Sequence, residues 1–337
     1  MNNDYKKEKQ NFLIIITALV FGLLLAVLLS ISVGRYGFFI KETFQYIFGQ
    51  NMDEMTFKVI HNLRVPRTLV AICVGSALAL SGTIYQSLFN NKLVSPDILG
   101  VSSGASVGAC LGILVGFSTG LISLFAFIFG FITVLFTLAI SKAFKNKSNL
   151  ILILCGLAIG GLMSSLVGLM KYLADNEMKL AEMTFWLLGD LSKVTIKDFW
   201  VIFPVTILGI IISIVLSWNL NIVSLGKKES RALGVNYSVI TIVMIIVATT
   251  LTAVSVSISG TIGWIGLVIP NLVRLLIGSD NKKVVPISVL FGAIFMVVCD
   301  MLARSIAPNE IPLSVITGII GTPLFLSLIF KRRREMQ

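Results

Sequence analysis

Unbroken apolar stretches constrain this chain more than any other feature. Phe12 to Val33 and Val239 to Val254 each run without a single charged residue. About 20 apolar residues in succession cross the hydrocarbon core of a bilayer as a helix, a length that soluble core helices rarely sustain. Only 13% of the 337 residues are charged and 56% are hydrophobic, too little charge to cover a soluble domain of this size. The chain therefore reads as an all-α, polytopic membrane protein in contact with the lipid bilayer. Its first apolar block is too long for a signal-peptide core and lacks a small-x-small cleavage site after it, so it is expected to stay as the first span.

Dividing the apolar blocks at charges, Gly and Pro predicts ten spans, near residues 12–33, 68–87, 97–115, 121–141, 150–170, 200–218, 237–258, 262–278, 286–303 and 312–330. With the N-terminus in the cytoplasm, 17 of the 27 Lys and Arg residues fall on the inner side. Cytoplasmic loops keep such an excess, so both termini are expected inside. The basic isoelectric point of 9.6 then reflects topology and gives no support for nucleic-acid binding.

Three hydrophilic regions interrupt the spans. Residues 34–67 and 171–199 are placed outside, and Phe38–Phe48 within the first reads as a short interfacial helix with an aromatic face. Residues 219–236 form the longest inner loop. There, Lys227 to Leu233 are good helix formers and Gly234 suits a left-handed C-terminal cap. Such a capped helix at the membrane surface is a docking element for a soluble partner, or else a solvated connection.

The four cysteines, Cys73, Cys110, Cys155 and Cys299, lie inside apolar blocks without paired spacing and read as small core residues. The single histidine, His61, lacks the partners that a metal or proton-relay site requires. No catalytic residues, no metal ligands and no cofactor are expected in the chain itself. No phosphate-binding G-x-x-x-x-G-K-[ST] loop occurs, so ATP would have to be bound and hydrolysed by another chain. Few carboxylates fall deep in the spans, which argues against an ion-coupled secondary carrier. A membrane sensor or scaffold would need a soluble output domain.

Other features await a partner. Arg64 and Arg67 flank Pro66 on the outer side, three residues apart and so nearly on one helix face. Either they snorkel to headgroups, or they meet acidic groups of an external partner through forked pairs. Arg304 is a third candidate, with Asp300 one turn earlier as a possible neutraliser. The tetrapeptide SGTI occurs at 81–84 and 259–262, as an inverted repeat of helices 2–5 and 7–10 would produce. Glycines crowd the span interiors, where small residues allow close helix packing, and Pro270 and Pro323 are expected to kink or shorten their spans.

Four blocks in order carry a family resemblance: LRVPRTLVAICVGSALALSGTIYQSLFNNKLVSPDILGVSSGASVGA (63–109), SLGKKESRALGVN (224–236), SGTIGWIGLVIPNLVRLLIGSD (259–280) and CDMLARSIAPNEIPLSVITGIIGTPLFLSLIFK (299–331). The chain resembles the FecCD-type permeases of type II ABC importers over nearly its whole length. That resemblance implies one transmembrane permease domain over residues 1–337 in a bacterial cytoplasmic membrane, with ten helices per subunit. It implies a pair of ABC ATPase subunits that bind the ATP, an extracytoplasmic substrate-binding protein, and a second permease copy or paralogue.

Residue by residue, Arg64, Arg67 and Arg304 match outer arginines that pair with the binding protein. Gly226, Glu229, Ala232, Leu233 and Gly234 fall in the segment matching the helix that couples to the ATPase. Asn91 and Leu93 match a loop that helps close the cytoplasmic gate. The chain departs from the family pattern at two places, with Asn91-Lys92-Leu93 for Asn-Pro-Leu and Pro270-Asn271 for Pro-His. A ferric siderophore is the expected cargo, with haem and cobalamin as alternatives.

Overall fold

The computed structural model describes residues 2–34, 37–38, 40–144 and 149–336. Lys145 and Lys147, counted above on the inner side, lie outside the described residues, as does Phe39 of the predicted interfacial helix. Fifteen α-helices follow one another among the described residues. Eight helical segments are long and apolar enough to cross a membrane, and two shorter apolar helices, α5 (Val101–Val115) and α13 (Ile265–Ile277), accompany them.

Every predicted span has a helical counterpart, with boundaries that local chemistry explains. α1 covers Asn2–Ser32. α2 (Ile40–Ile47) falls in the segment expected as an interfacial helix and leaves Phe44 and Ile47 exposed. α3 (Glu54–Lys58), a π-helical turn (Val59–Arg64) and α4 (Val65–Leu88) form one continuous rod, so the second span begins earlier than expected. The third span starts with a 3₁₀ turn (Pro96–Leu99) and breaks at Gly100, whose φ of +82° suits a residue without a side chain. α6 (Thr119–Ala143) and α7 (Asn149–Tyr172) follow. α8 (Glu177–Leu188) was not anticipated, and a capping box of Thr195 and Asp198 starts α9 (Ile196–Val215). Beyond it come α10 (Ser217–Ser224), α11 (Lys227–Ala232), α12 (Tyr237–Ser259), α13, α14 (Asn281–Ser305) and α15 (Leu313–Met336). Pro270 and Pro323 lie inside α13 and α15, which continue past them.

The helix lengths repeat. α4 to α7 have 24, 15, 25 and 24 residues, and α12 to α15 have 23, 13, 25 and 24. Packing repeats as well, since α4 lies on α14 while α12, its counterpart, lies on α6. The SGTI copies themselves adopt different local structures. Ser81–Ile84 is inside α4, whereas Ser259 ends α12 and Gly260–Ile262 belong to the following turn.

α4 is the axis of the fold. Of its most apolar 18 residues 89% are buried, against 6% for α1. Glycine lets neighbours reach its backbone: a Cβ on Gly75 would overlap the Gly292 carbonyl of α14, and one on Gly82 would overlap that of Gly266 in α13. Backbones brought this close replace the hydrophobic driving force that helices lack in lipid. The four cysteines are free and buried.

Loops that charge assigned to one side also meet in space. Residues at the ends of α4, α10 and α13 gather at one end of the molecule, where Asn271 reaches Lys92 and Asn221 reaches Asp280. Phe12 near the start of α1 lines a surface hollow there with Ile277 and Lys283. At the opposite end the tail of α1, the π-helical turn, the end of α14 and the start of α15 converge.

Candidate functional site

At the end expected to face outward, three arginines build a buried cluster. A helix leaves its last four carbonyls without intrahelical donors, and α1 ends on Ser30, Ile31 and Ser32 with two guanidinium groups around it. Arg64 Nη1 donates to Ile31 O at 2.8 Å and Ser32 O at 2.7 Å, and its Nη2 to Gly37 O at 3.2 Å. Arg304 donates to Val33 O at 2.7 Å, Ser30 O at 2.5 Å and Ser30 Oγ at 2.8 Å. Both charges complement the negative end of the α1 dipole. Arg67 instead forks between two carboxylates, with Nε to Asp300 Oδ1 at 2.7 Å and Nη1 to Glu310 Oε2 at 2.9 Å. Asp300 is fully buried, and its Oδ2 lies 3.3 Å from Arg304 Nε.

Arg64, Arg67 and Arg304, the expected contacts of a binding protein, bond here to groups within the chain. They are 4%, 8% and 5% exposed, and the hydrogen bonds named above stay inside the chain, while Arg304 Nε faces Asp300 as an ion pair without a hydrogen bond. The five fixed donors of a guanidinium suit it to such bridging. Asp300 is a neutraliser, and for two arginines at once. The wide π-helical turn carries Ile60 and Arg64 inward while His61 stays exposed, stacked on Phe57 at 5.2 Å and 2.7 Å from Tyr46 Oη through Nδ1. Among the described residues no three His, Cys, Asp or Glu side chains gather as a metal site would need.

The end expected to face the cytoplasm presents the opposite picture. α11 is a single capped turn and a half, bounded by Gly226 at φ +115° and Gly234 at φ +75°. Val235 N donates to Ser230 O at 2.9 Å and Gly234 N to Arg231 O at 3.1 Å, the paired bonds of a Schellman cap. Leu233 is the C-cap residue and is 58% exposed. Lys227, Lys228, Glu229, Arg231 and Ala232 are exposed too. Only Ser230 turns inward, fully buried, with Oγ donating to Gly226 O at 2.6 Å and Ile222 O at 3.2 Å. The helix is thus pinned to α10 from beneath and offers its other faces outward.

Beside it lies the loop after α4. Asn90 takes φ +45°, and Asn91 Oδ1 accepts the Leu93 amide at 2.9 Å, a turn that leaves Leu93 65% exposed. Side chains hold this loop to α13: Asn271 Nδ2 donates to Lys92 O at 2.7 Å, and Gln86 Nε2 to Val94 O at 3.3 Å and Leu267 O at 3.2 Å. The two positions at which the chain departs from the family pattern, Lys92 and Asn271, therefore touch.

Between these ends a cavity of about 350 Å³ opens among α4, α5, α13 and α15. Hydroxyls of Ser95, Ser102, Thr252 and Thr261 line it, together with Asp97 and Trp264. Trp264 occupies φ +71°, a left-handed conformation that is strained for a bulky residue. Its indole packs against Gly318 and Gly321 of α15. Sequence reasoning missed Asp97 and Trp264 as cavity-lining residues. The one available signal was a tryptophan placed directly after Gly263, where a glycine-rich turn gives way to a helix.

Comparison with known proteins bears on these sites. The sequence profile of the FecCD transport family matches residues 22–331. The molybdate import system permease protein MolB of Haemophilus influenzae is 38% identical over 95% of this chain and 96% of its own length. The hemin transport system permease protein HmuU of Yersinia pestis is 33% identical over 94% and 96%, and the Fe(3+)-citrate import system permease protein YfmD of Bacillus subtilis 34% over 96% and 95%. A solved structure of a metal-chelate type ABC transporter in an inward-facing conformation superposes with a TM-score of 0.86 at 38% identity, covering 94% of this chain and 99% of that one.

Proposed function

This chain belongs to the FecCD transport family, the permeases of type II ABC importers, and from that premise we propose that it forms the membrane pathway for an iron chelate. It is a multi-pass protein of the cytoplasmic membrane and a transport subunit, not an enzyme. In this reading a separate ATPase pair supplies the energy and a second permease, identical or paralogous, completes the pathway.

The observation that carries the proposal is α11, pinned by Ser230 and otherwise exposed between two glycines in left-handed conformations. A short, rigid, outward-facing helix at the inner end is a surface to be gripped by a soluble ATPase, with Glu229, Ala232 and Leu233 as contacts and Gly226 and Gly234 fixing its shape. Asn91 and Leu93 would form the inner gate. Because the outer arginines are consumed internally, their place in this reading is to hold the frame under the substrate-binding protein.

Iron is favoured because the relatives HmuU and YfmD are named for haemin and ferric citrate. A second reading is molybdate, after the relative MolB. Uptake by cells lacking the chain, with and without its restoration, separates the two. A ferric siderophore, ferric citrate, haemin and molybdate are offered singly. Restored uptake of an iron complex is expected, abolished by Glu229→Arg at unchanged protein level. Restoration of molybdate uptake alone would overturn the iron assignment.

A further inference from the structure

We infer that a hydrogen-bonded relay through Asn221, Asn281, Ser87 and Arg274 passes displacement of α11 to the gate loop of the same subunit. The inference rests on reading α11 as the ATPase-facing helix and residues 90–93 as the inner gate. It assigns roles to residues outside both.

The relay begins at α10, to which Ser230 fastens α11. Asn221, on α10, clasps the start of α14 with both ends of its amide. Its Nδ2 donates to Asp280 Oδ1 at 2.6 Å, and its Oδ1 accepts the Asn281 amide at 2.8 Å. Asp280 is itself the N-cap of α14, accepting the Lys282 amide at 3.0 Å. Lys282 Nζ in turn sits 4.5 Å above the ring of Trp218, one turn before Asn221. α10 therefore grips a helix start at a backbone amide, a cap carboxylate and an ammonium.

From there the chain of bonds goes inward. Ser87 Oγ shares its hydrogen between Asn281 Oδ1 at 2.9 Å and Thr83 O, one turn back, at 2.8 Å. Arg274 Nη2 donates to Ser87 Oγ at 2.9 Å and to Thr83 O at 3.2 Å. Ser87, Arg274 and Asn281 are all buried, where partnered polar groups hold fixed geometry and slipping out of register is costly. Ser87 stands in the last turn of α4, immediately before the gate loop, and Asn271, on the same helix as Arg274, holds Lys92 of that loop. Helices α10, α14, α13 and α4 are thereby joined by buried side-chain hydrogen bonds that lead from the helix under α11 to the base of the loop carrying Leu93. Asn221 is a positioning residue of this route, touching neither ATPase nor cargo.

The test is a labelling experiment on the complex of this chain with its ATPase in inside-out vesicles. Leu93→Cys is used as the reporter and a membrane-impermeant maleimide as the probe; the native cysteines are buried. Adding ATP and vanadate is expected to change the labelling rate about tenfold, as a gate driven from mostly one state to mostly the other would. With Asn221→Ala added, the ATPase should stay bound and hydrolyse ATP while the labelling change disappears. A full response in Asn221→Ala would overturn the relay and leave the interface reading standing. No response in the Leu93→Cys parent, despite a bound and active ATPase, would overturn the gate assignment and the relay with it. Should Asn221→Ala fail to accumulate, the exchange Asn221→Asp with Asp280→Asn decides. Recovery of the response relative to Asn221→Asp alone supports the relay, and equal loss in both overturns it.

Discussion

The two ends of the molecule both drew notice for their charge, and they use it in opposite ways. Outside, Arg64, Arg67 and Arg304 are buried and bonded to α1 carbonyls, Asp300 and Glu310. Inside, Lys227, Lys228, Glu229 and Arg231 are exposed, and the buried residue of their helix is a serine. Charge that folds inward holds a frame, and charge held outward on a rigid turn is available to a partner. Substitutions at the outer end should therefore act on stability first, and those at the inner end on uptake without loss of protein.

The largest effect is expected from Asp300→Ala. It removes the carboxylate that two buried guanidinium groups share, and removing one member of a buried ion network costs about 3–5 kcal/mol. Thermal unfolding in detergent should show it, together with reduced membrane accumulation. Charge reversal at Arg64 and Arg67 together should behave likewise. Normal accumulation with lost uptake would instead restore a docking role to these arginines and break the comparison.

A smaller loss follows from Arg304→Met, which leaves the Ser30 and Val33 carbonyls without their donor. Unsatisfied buried acceptors cost about 1–3 kcal/mol each, read from the same melting curves. At the inner end, Gly234→Val forces a β-branched side chain into φ +75°, a strain of about 1–3 kcal/mol confined to one turn. Its melting temperature should fall by no more than a few degrees, while uptake and retention of the ATPase on purification both drop. Glu229→Arg should shift stability least, within about 0.5 kcal/mol as for other surface substitutions, and still abolish uptake. A Glu229→Arg chain that transports normally would detach α11 from any coupling role.

Much of this architecture was legible in the sequence because lipid leaves few choices. Apolar length fixed where helices had to be, and the charge bias sorted loops into groups that do meet in space. Gly234 was readable as a left-handed cap because the rule is local. The internal partners of the outer arginines were hidden for the opposite reason: Arg67 finds Asp300 and Glu310 more than 230 residues away, and no spacing rule reaches so far. Nor does composition announce a π-helical turn, which is what carries Arg64 inward beside α1. α8 escaped because its twelve residues mix charged and apolar side chains, a pattern shared with loops. Asn221 and Asn281 are ordinary polar residues in sequence, and they acquire meaning only when α10 meets α14.

Transport energised through α11 is tested by uptake of ferric citrate into proteoliposomes holding the chain and its ATPase, with the substrate-binding protein supplied from the side of Glu310. Uptake that needs ATP on the α11 side, and stops with a hydrolysis-deficient ATPase or with Glu229→Arg, is the predicted result. Uptake by the chain alone, driven by a proton or sodium gradient and indifferent to ATP, would contradict it.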